Sequence, residues 1–178
     1  MSRIRRSSTA LLTGEWAVLG LLNASPSHGF ALAKEMAPDG DIGRIWSLSR
    51  PLTYRAVDQL LERRFIEARA EQPGRAGGNR TIYAATRAGR SSFRTWVTTP
   101  VEHLRELRSD LLLKLVLAQR CSIPIDEMID AQKHLVRQIR AGLDMRIQQT
   151  PNDLVLVWRT YAVDAALGFL ADLDTAAP

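Results

Sequence analysis

The order of residues predicts a mainly α-helical chain with one small β-hairpin, built in two parts: three helices and the hairpin first, then an all-helical part. Three observations carry this. Apolar residues recur at helical spacing over most of the chain. The segment PGRAGGN (73–79) places one proline and three glycines between two short runs of β-formers. Charge divides unevenly: 14 Lys+Arg against 8 Asp+Glu give +6 over residues 1–90, while 10 against 11 give −1 over 91–178.

Length and composition set the bounds. The 178 residues are 46% hydrophobic and 24% charged, which excludes a collagen-like, low-complexity or largely disordered chain. Cys121 is the single cysteine, so an intramolecular disulfide or thiolate cluster is excluded and a reducing cytoplasm is the expected compartment. Arg3, Arg5 and Arg6 precede an apolar stretch, Ala10 to Leu22, that imitates a secretory signal; Glu15 and Trp16 break it. With no run of 18 apolar residues, no membrane span is expected.

The first helix is expected from Leu11 to Ala24 with Thr13 as N-cap, buried because AVLGLL (17–22) leaves hardly any polar face. Ser25-Pro26 ends it. Ser27 then caps a second helix over 28–36, with Phe30, Leu32, Ala33 and Met36 toward the core. The third helix is expected over 47–64, with Ser49 as N-cap, Pro51 in the first turn and Trp46 as an anchor just before it. At 100° per residue Leu52, Ala56, Val57, Leu60 and Leu61 gather on one side. Pro51, Tyr54, Arg55, Asp58 and Glu62 take the other, with Arg55 central.

Strands are expected over Phe65–Gln72 and Arg80–Thr86, with Arg75 and Arg80 at the hairpin tip. Thr86 caps a fourth helix, 87–97, that stops before Pro100. Leu104, Leu107, Leu111, Leu115 and Ala118 mark one further helix, broken at Ile123-Pro124. Ile125, Ile129, Gln132, Val136, Ile139, Leu143 and Arg146 follow a 4-3 beat along the next, to about Gln149. Asn152 caps a last helix to about Leu173, apolar on most sides. The domain boundaries are therefore 1–97 and 101–178.

Catalytic and metal chemistry find no anchor. His28, His103 and His134 are scattered, without HExxH or paired spacing. His28 suits a helix N-terminus or the core edge better than a ligand. There is no GxSxG elbow, and GRAGGNR lacks the GK[ST] ending of a phosphate loop. Neither an enzyme nor any cofactor or metal is expected.

Three helices followed by a hairpin with a basic glycine-rich tip is the order of a winged helix–turn–helix. That arrangement suits duplex DNA, because a helix fits the major groove and basic side chains grip phosphates. The candidate DNA-contacting residues are Arg50, Thr53, Tyr54, Arg55, Gln59, Arg75, Asn79 and Arg80. A solvated charged face is the plainer account of the same residues.

The strings LTGEWAVLGLL (12–22), HGFALAKEM (28–36), GRIWSLSRPLTYRAVDQLLERRFIEA (43–68) and TIYAATRAGRSSF (81–93) resemble the PadR family of transcriptional regulators. His28, Gly29, Phe30 and Leu32 match the family's YGY-L pattern; Trp46, Ser49, Tyr54, Val57 and Leu60 match its third helix; Tyr83, Thr86 and Gly89 match its Y-x-x-T-x-x-G. Pro51 stands where a glycine is usual, and Arg64 where a glycine ends the third helix. The resemblance covers about residues 10–95 and implies a homodimeric, often ligand-responsive repressor on a palindromic operator, with a helical C-terminal dimerisation domain. A small aromatic or apolar effector between the domains is the further expectation, with Trp16, Trp96, Trp158 and Tyr161 as pocket residues; core packing is the plainer role for these four. Two alternatives stand beside this: a MarR-like regulator of the same arrangement, and a winged-helix protein–protein adaptor without DNA.

Overall fold

A computed structural model describes residues 10–73 and 79–175 of the chain. The described residues divide into two compact units, with the boundary between Thr95 and Trp96. The first contains α1 (Thr13–Ala24), β1 (Ser27–His28), α2 (Gly29–Glu35), α3 (Arg50–Glu62), β2 (Ile66–Pro73), β3 (Asn79–Ala85) and most of α4 (Arg87–Val97). The second holds a 3₁₀ turn (Leu104–Glu106), a π turn (Leu107–Leu111), α5 (Leu112–Arg120), α6 (Asp126–Gln149) and α7 (Leu154–Thr175). The first unit is a winged helix: mainly α, with a three-stranded antiparallel sheet in the order β1-β3-β2.

α1 is buried as its composition requires, with Ala17, Val18, Leu19, Leu21 and Leu22 all inside. Its N-cap is Leu12 rather than Thr13, because the Leu12 N–H donates to Glu15 Oε2 at 2.9 Å and closes the first turn. His28, not Ser27, caps α2: its Nδ1 accepts the Ala31 N–H at 3.1 Å. Of the expected core side of α2, Leu32 and Met36 are buried, while Phe30 is exposed; Ile42, beyond the helix, is also buried. Trp46 is an exposed residue rather than an anchor.

On α3 the buried stripe is Thr53, Ala56, Val57 and Leu60, an i, i+3, i+4, i+7 set. Leu52 lies one residue off that stripe and is 49% exposed, against expectation. Thr53 takes the inward place at no polar cost, since its hydroxyl donates to the Ser49 carbonyl at 3.1 Å.

β1 has no signal of its own. Its two residues extend only because they pair with β3, Ser27 with Tyr83 and His28 with Ile82. β2 and β3 form the wing, with a register irregularity between Ala68 and Ala70 that makes Arg69 the extra residue. Thr86 joins the wing to α4. Its Oγ1 accepts the Gly89 N–H at 3.1 Å as an N-cap, and lies 2.8 Å from the Arg64 carbonyl.

In the second unit Leu111, Met128, Val136, Leu143, Leu156, Val163 and Leu170 form the core. The helix expected from Leu104 begins instead as a 3₁₀ and then a π turn, with the Glu106 carboxylate accepting the His103 N–H at 3.1 Å at its start. Gln132 interrupts the apolar beat of α6 for a reason: its amide accepts the Val101 N–H at 2.7 Å and donates to the Val101 carbonyl at 3.0 Å. Both buried polar groups of Val101 are thereby paired. Arg146, the last position of that beat, is exposed. Asp153, not Asn152, caps α7 through the Val155 and Leu156 N–H groups at 2.9 and 3.2 Å. Arg140 on α6 holds Asp164 on α7 and also its own neighbour Asp144.

Candidate nucleic-acid interface

The outward face of α3 carries Pro51, Leu52, Tyr54, Arg55, Asp58 and Glu62. Arg55 is exposed at its centre, one turn from the start of the helix, where a base edge would be reached. Arg50 is stacked: its guanidinium carbon lies 5.4 Å from the Phe30 ring centroid and 5.8 Å from that of Tyr54. Two aromatic faces fix the direction of a long cation and lower the entropy it loses on binding. Tyr54 is held in turn by Gly29, where any Cβ would sit 2.5 Å from the Tyr54 ring. The glycine of α2 is thus a socket for the tyrosine of α3.

The wing adds a second edge. Asn79 Nδ2 donates to Glu71 Oε2 across the hairpin at 3.0 Å, so its amide braces the strands. Arg80 is half-buried, with Nη1 3.4 Å from His28 Nε2. His28, Gly29, Arg50, Tyr54, Asn79 and Arg80 line one depression of about 350 Å³ between α3 and the wing. It unites residues far apart in the chain, and all its formal charges are positive.

Of the residues proposed from sequence, Arg50, Tyr54, Asn79 and Arg80 come together here, and Arg55 stands on the adjoining helix face. Gln59 donates to Glu62 at 3.1 Å further along α3. Thr53 is a correction: at 0% exposure, with its hydroxyl turned to Ser49, it cannot touch DNA. Arg75 lies outside the described residues. Two candidates escaped the sequence reading. Arg69 is exposed at the bulge of β2, a position that re-aims a side chain; its signal was a cation in the middle of a strand. His28 reaches the site only through the pairing of β1 with β3, for which the sequence offers no signal.

Of the four aromatics expected at a pocket between the domains, Trp16 belongs to the first unit and Trp96, Trp158 and Tyr161 to the second. Trp96 lies under the Lys114 ammonium, 5.1 Å from the ring centroid. Within the second unit a groove of about 1130 Å³ runs beside α7, with Leu111, Ile139, Trp158 and Phe169 as apolar walls and Arg108 and Arg159 among its cations. Trp158 and Tyr161 are otherwise open, at 71% and 70% exposure. Leu154–Leu173 is long and apolar enough to cross a membrane, with a mean hydropathy of 1.5. Arg159 and Asp164 interrupt its apolar run, so it passes on length and average hydropathy alone. Among the described residues no group of three His, Cys, Asp or Glu could hold a metal ion.

Residues 18–95 match the model of the transcriptional regulator PadR-like family. None of the curated proteins is similar enough to match. Bacillus subtilis PadR in complex with operator DNA is 15% identical, with 89% of this chain and 96% of that one covered, at a TM-score of 0.47. The same protein in complex with p-coumaric acid is 16% identical, covering 90% and 93%, at 0.42. A PadR-like transcriptional regulator from Bacillus cereus is 21% identical, covering 93% and 96%, at 0.42.

Proposed function

We propose that this chain, whose residues 18–95 match the model of the PadR-like family of transcriptional regulators, is a homodimeric repressor that reads a palindromic operator through α3 and grips its backbone with the wing. The observation that carries this is the exposed, centrally placed Arg55 on α3, beside a depression lined by Arg50 and Arg80. An arginine can bond guanine O6 and N7 bidentately, and the flanking cations can neutralise phosphates. A protein–protein adaptor would not need three arginines converging on one edge.

Residues up to 97 serve as the DNA-binding domain and residues 101–178 as the dimerisation domain. Support for the second role is the open apolar face of α7, which a second copy would cover. The effector is a small aromatic or apolar acid. Its support is the groove beside α7, where apolar walls would take a ring and Arg108 or Arg159 a carboxylate. Trp158 belongs both to that groove and to the open face, so a bound effector would press on the edge of the dimer contact. Such a protein works in the cytoplasm, with no need of membrane or cofactor.

The test is selection of bound duplexes from a random pool, followed by titration across salt. Wild type is expected to bind a palindrome with an affinity that falls steeply as salt rises. Arg55→Ala is expected to weaken it by about 1–3 kcal/mol and relax preference at one base pair of each half-site. Equal affinity for all sequences in both proteins would remove the role of α3 as reader.

A further inference from the structure

The geometry points to His28 as a DNA-backbone ligand: we propose that its Nε2–H and the Arg80 guanidinium together hold one phosphate oxygen of the duplex. The proposal rests on the DNA-binding reading above and adds to it a residue on no recognition helix.

A neutral imidazole has one nitrogen that accepts and one that donates. The His28 ring is set between two N–H donors. The Ala31 N–H approaches Nδ1 at 3.1 Å, and Arg80 Nη1 approaches Nε2 at 3.4 Å. The ring can accept from only one. The shorter contact is also the cap of α2, which makes Nδ1 the bare nitrogen and leaves the proton on Nε2. Nε2–H and the arginine N–H therefore face each other, donor against donor, where no hydrogen bond can form.

Two converging donors lack only an acceptor. An anionic oxygen bridging them would receive both N–H groups, and it would also neutralise Arg80. The pair belongs to the depression lined by Arg50, Tyr54, Asn79 and Arg80, at the edge between α3 and the wing. A phosphodiester following a helix seated in the major groove is the anion with that placement. The sheet register sets the pairing. His28 opposes Ile82, and Arg80 lies two residues before Ile82, on the same face of β3. The half-buried setting of both residues keeps the contact partly desolvated.

The test measures affinity of the full chain for its selected duplex with His28→Asn, Arg80→Ala and the double variant. Asparagine is a good N-cap, so His28→Asn keeps the Ala31 bond but is too short to reach the shared oxygen. It is expected to cost about tenfold in affinity, the value of one hydrogen bond to a charged group. Arg80→Ala is expected to lower the salt slope by about one unit. The double variant is expected to lose clearly less than the product of the two single losses, since one phosphate serves both. Independent, multiplying losses, or a His28→Asn protein that binds like wild type, would overturn the proposal. Where His28→Asn lowers the melting temperature, Nε2-methylhistidine at position 28 keeps the cap and blocks only the donor; its binding like wild type would overturn it equally. Excess inorganic phosphate that restores wild-type and Arg80→Ala proteins to the same affinity would identify a free-anion site rather than a duplex one, and so count against it. A wild type that binds no duplex would instead remove the DNA-binding reading itself.

Discussion

Arg64 adopts φ of 58°, the left-handed region that costs a residue with a Cβ about 1–2 kcal/mol. It is forced there by the end of α3, where the Phe65 N–H reaches back to the Leu60 carbonyl at 2.9 Å in the six-to-one closure that favours glycine. Arg64→Gly is expected to stabilise the protein by about 1 kcal/mol, read as a melting temperature a few degrees higher. An unchanged or lower value would mean that the arginine side chain repays its backbone strain. Gly89 has the opposite character. A Cβ there would lie 2.0 Å from the Phe65 carbonyl oxygen, and neither backbone can yield cheaply. Gly89→Ala is expected to cost about 1–3 kcal/mol in chemical denaturation, as overpacking does. Both positions were visible as members of a motif, but their physical need was not. It comes from a neighbouring chain segment, and spacing along one segment does not contain it.

Elements closed by local signals were readable for the same reason that these residues were not. Pro26, Pro100, Pro124 and Pro151 mark the helix ends, and the glycine-rich tip marks the hairpin. β1 was invisible because it exists through its partner. The start of the second unit was misread because leucines at 104, 107 and 111 suit α, 3₁₀ and π winding alike. On α3 the helical period exposes Arg55 and puts Thr53 in line with Ala56, Val57 and Leu60, but the polar hydroxyl of Thr53 hid that inward place. Lys114 on α5 is a further feature of packing alone. Its ammonium is buried, donates to the Thr99 carbonyl at 2.5 Å, and ties the segment after α4 to α5. Burial pulls its pKa down from 10.5 to about 8, against the upward pull of the Asp110 and Glu106 charges. The unfolded chain then binds the extra proton between pH 8 and 10.5, so stability should rise with pH through that window. The unfolding free energy of wild type minus that of Lys114→Met is expected to grow by about 3 kcal/mol from pH 8 to 10.5. A difference that stays flat across this window would show the lysine to be solvated in solution.

At the scale of the whole molecule the unanswered surface is that of α7. Leu156, Val163 and Leu170, spaced by seven, are buried, while Leu154, Val155, Trp158 and Tyr161 remain open. A single chain of ordinary solubility seldom presents so many large apolar groups on one helix. The Arg140–Asp164 pair argues against lipid as the cover, because it ties the middle of α7 to a helix carrying many charges. Covering two aromatics per chain removes about 150–250 Å² for each, roughly 4–6 kcal/mol apiece at 25 cal/mol/Å² before the costs of association. Replacing both Trp158 and Tyr161 with aspartate should therefore leave each folded unit intact and convert a dimer into a monomer at micromolar concentration by light scattering. A monomer has one half-site, so operator affinity should fall by about a hundredfold or more while non-specific binding per wing is kept. A double variant that remains dimeric would place the self-contact on another surface. Wild-type protein that floats with lipid vesicles, and a variant that does not, would give α7 to a membrane instead.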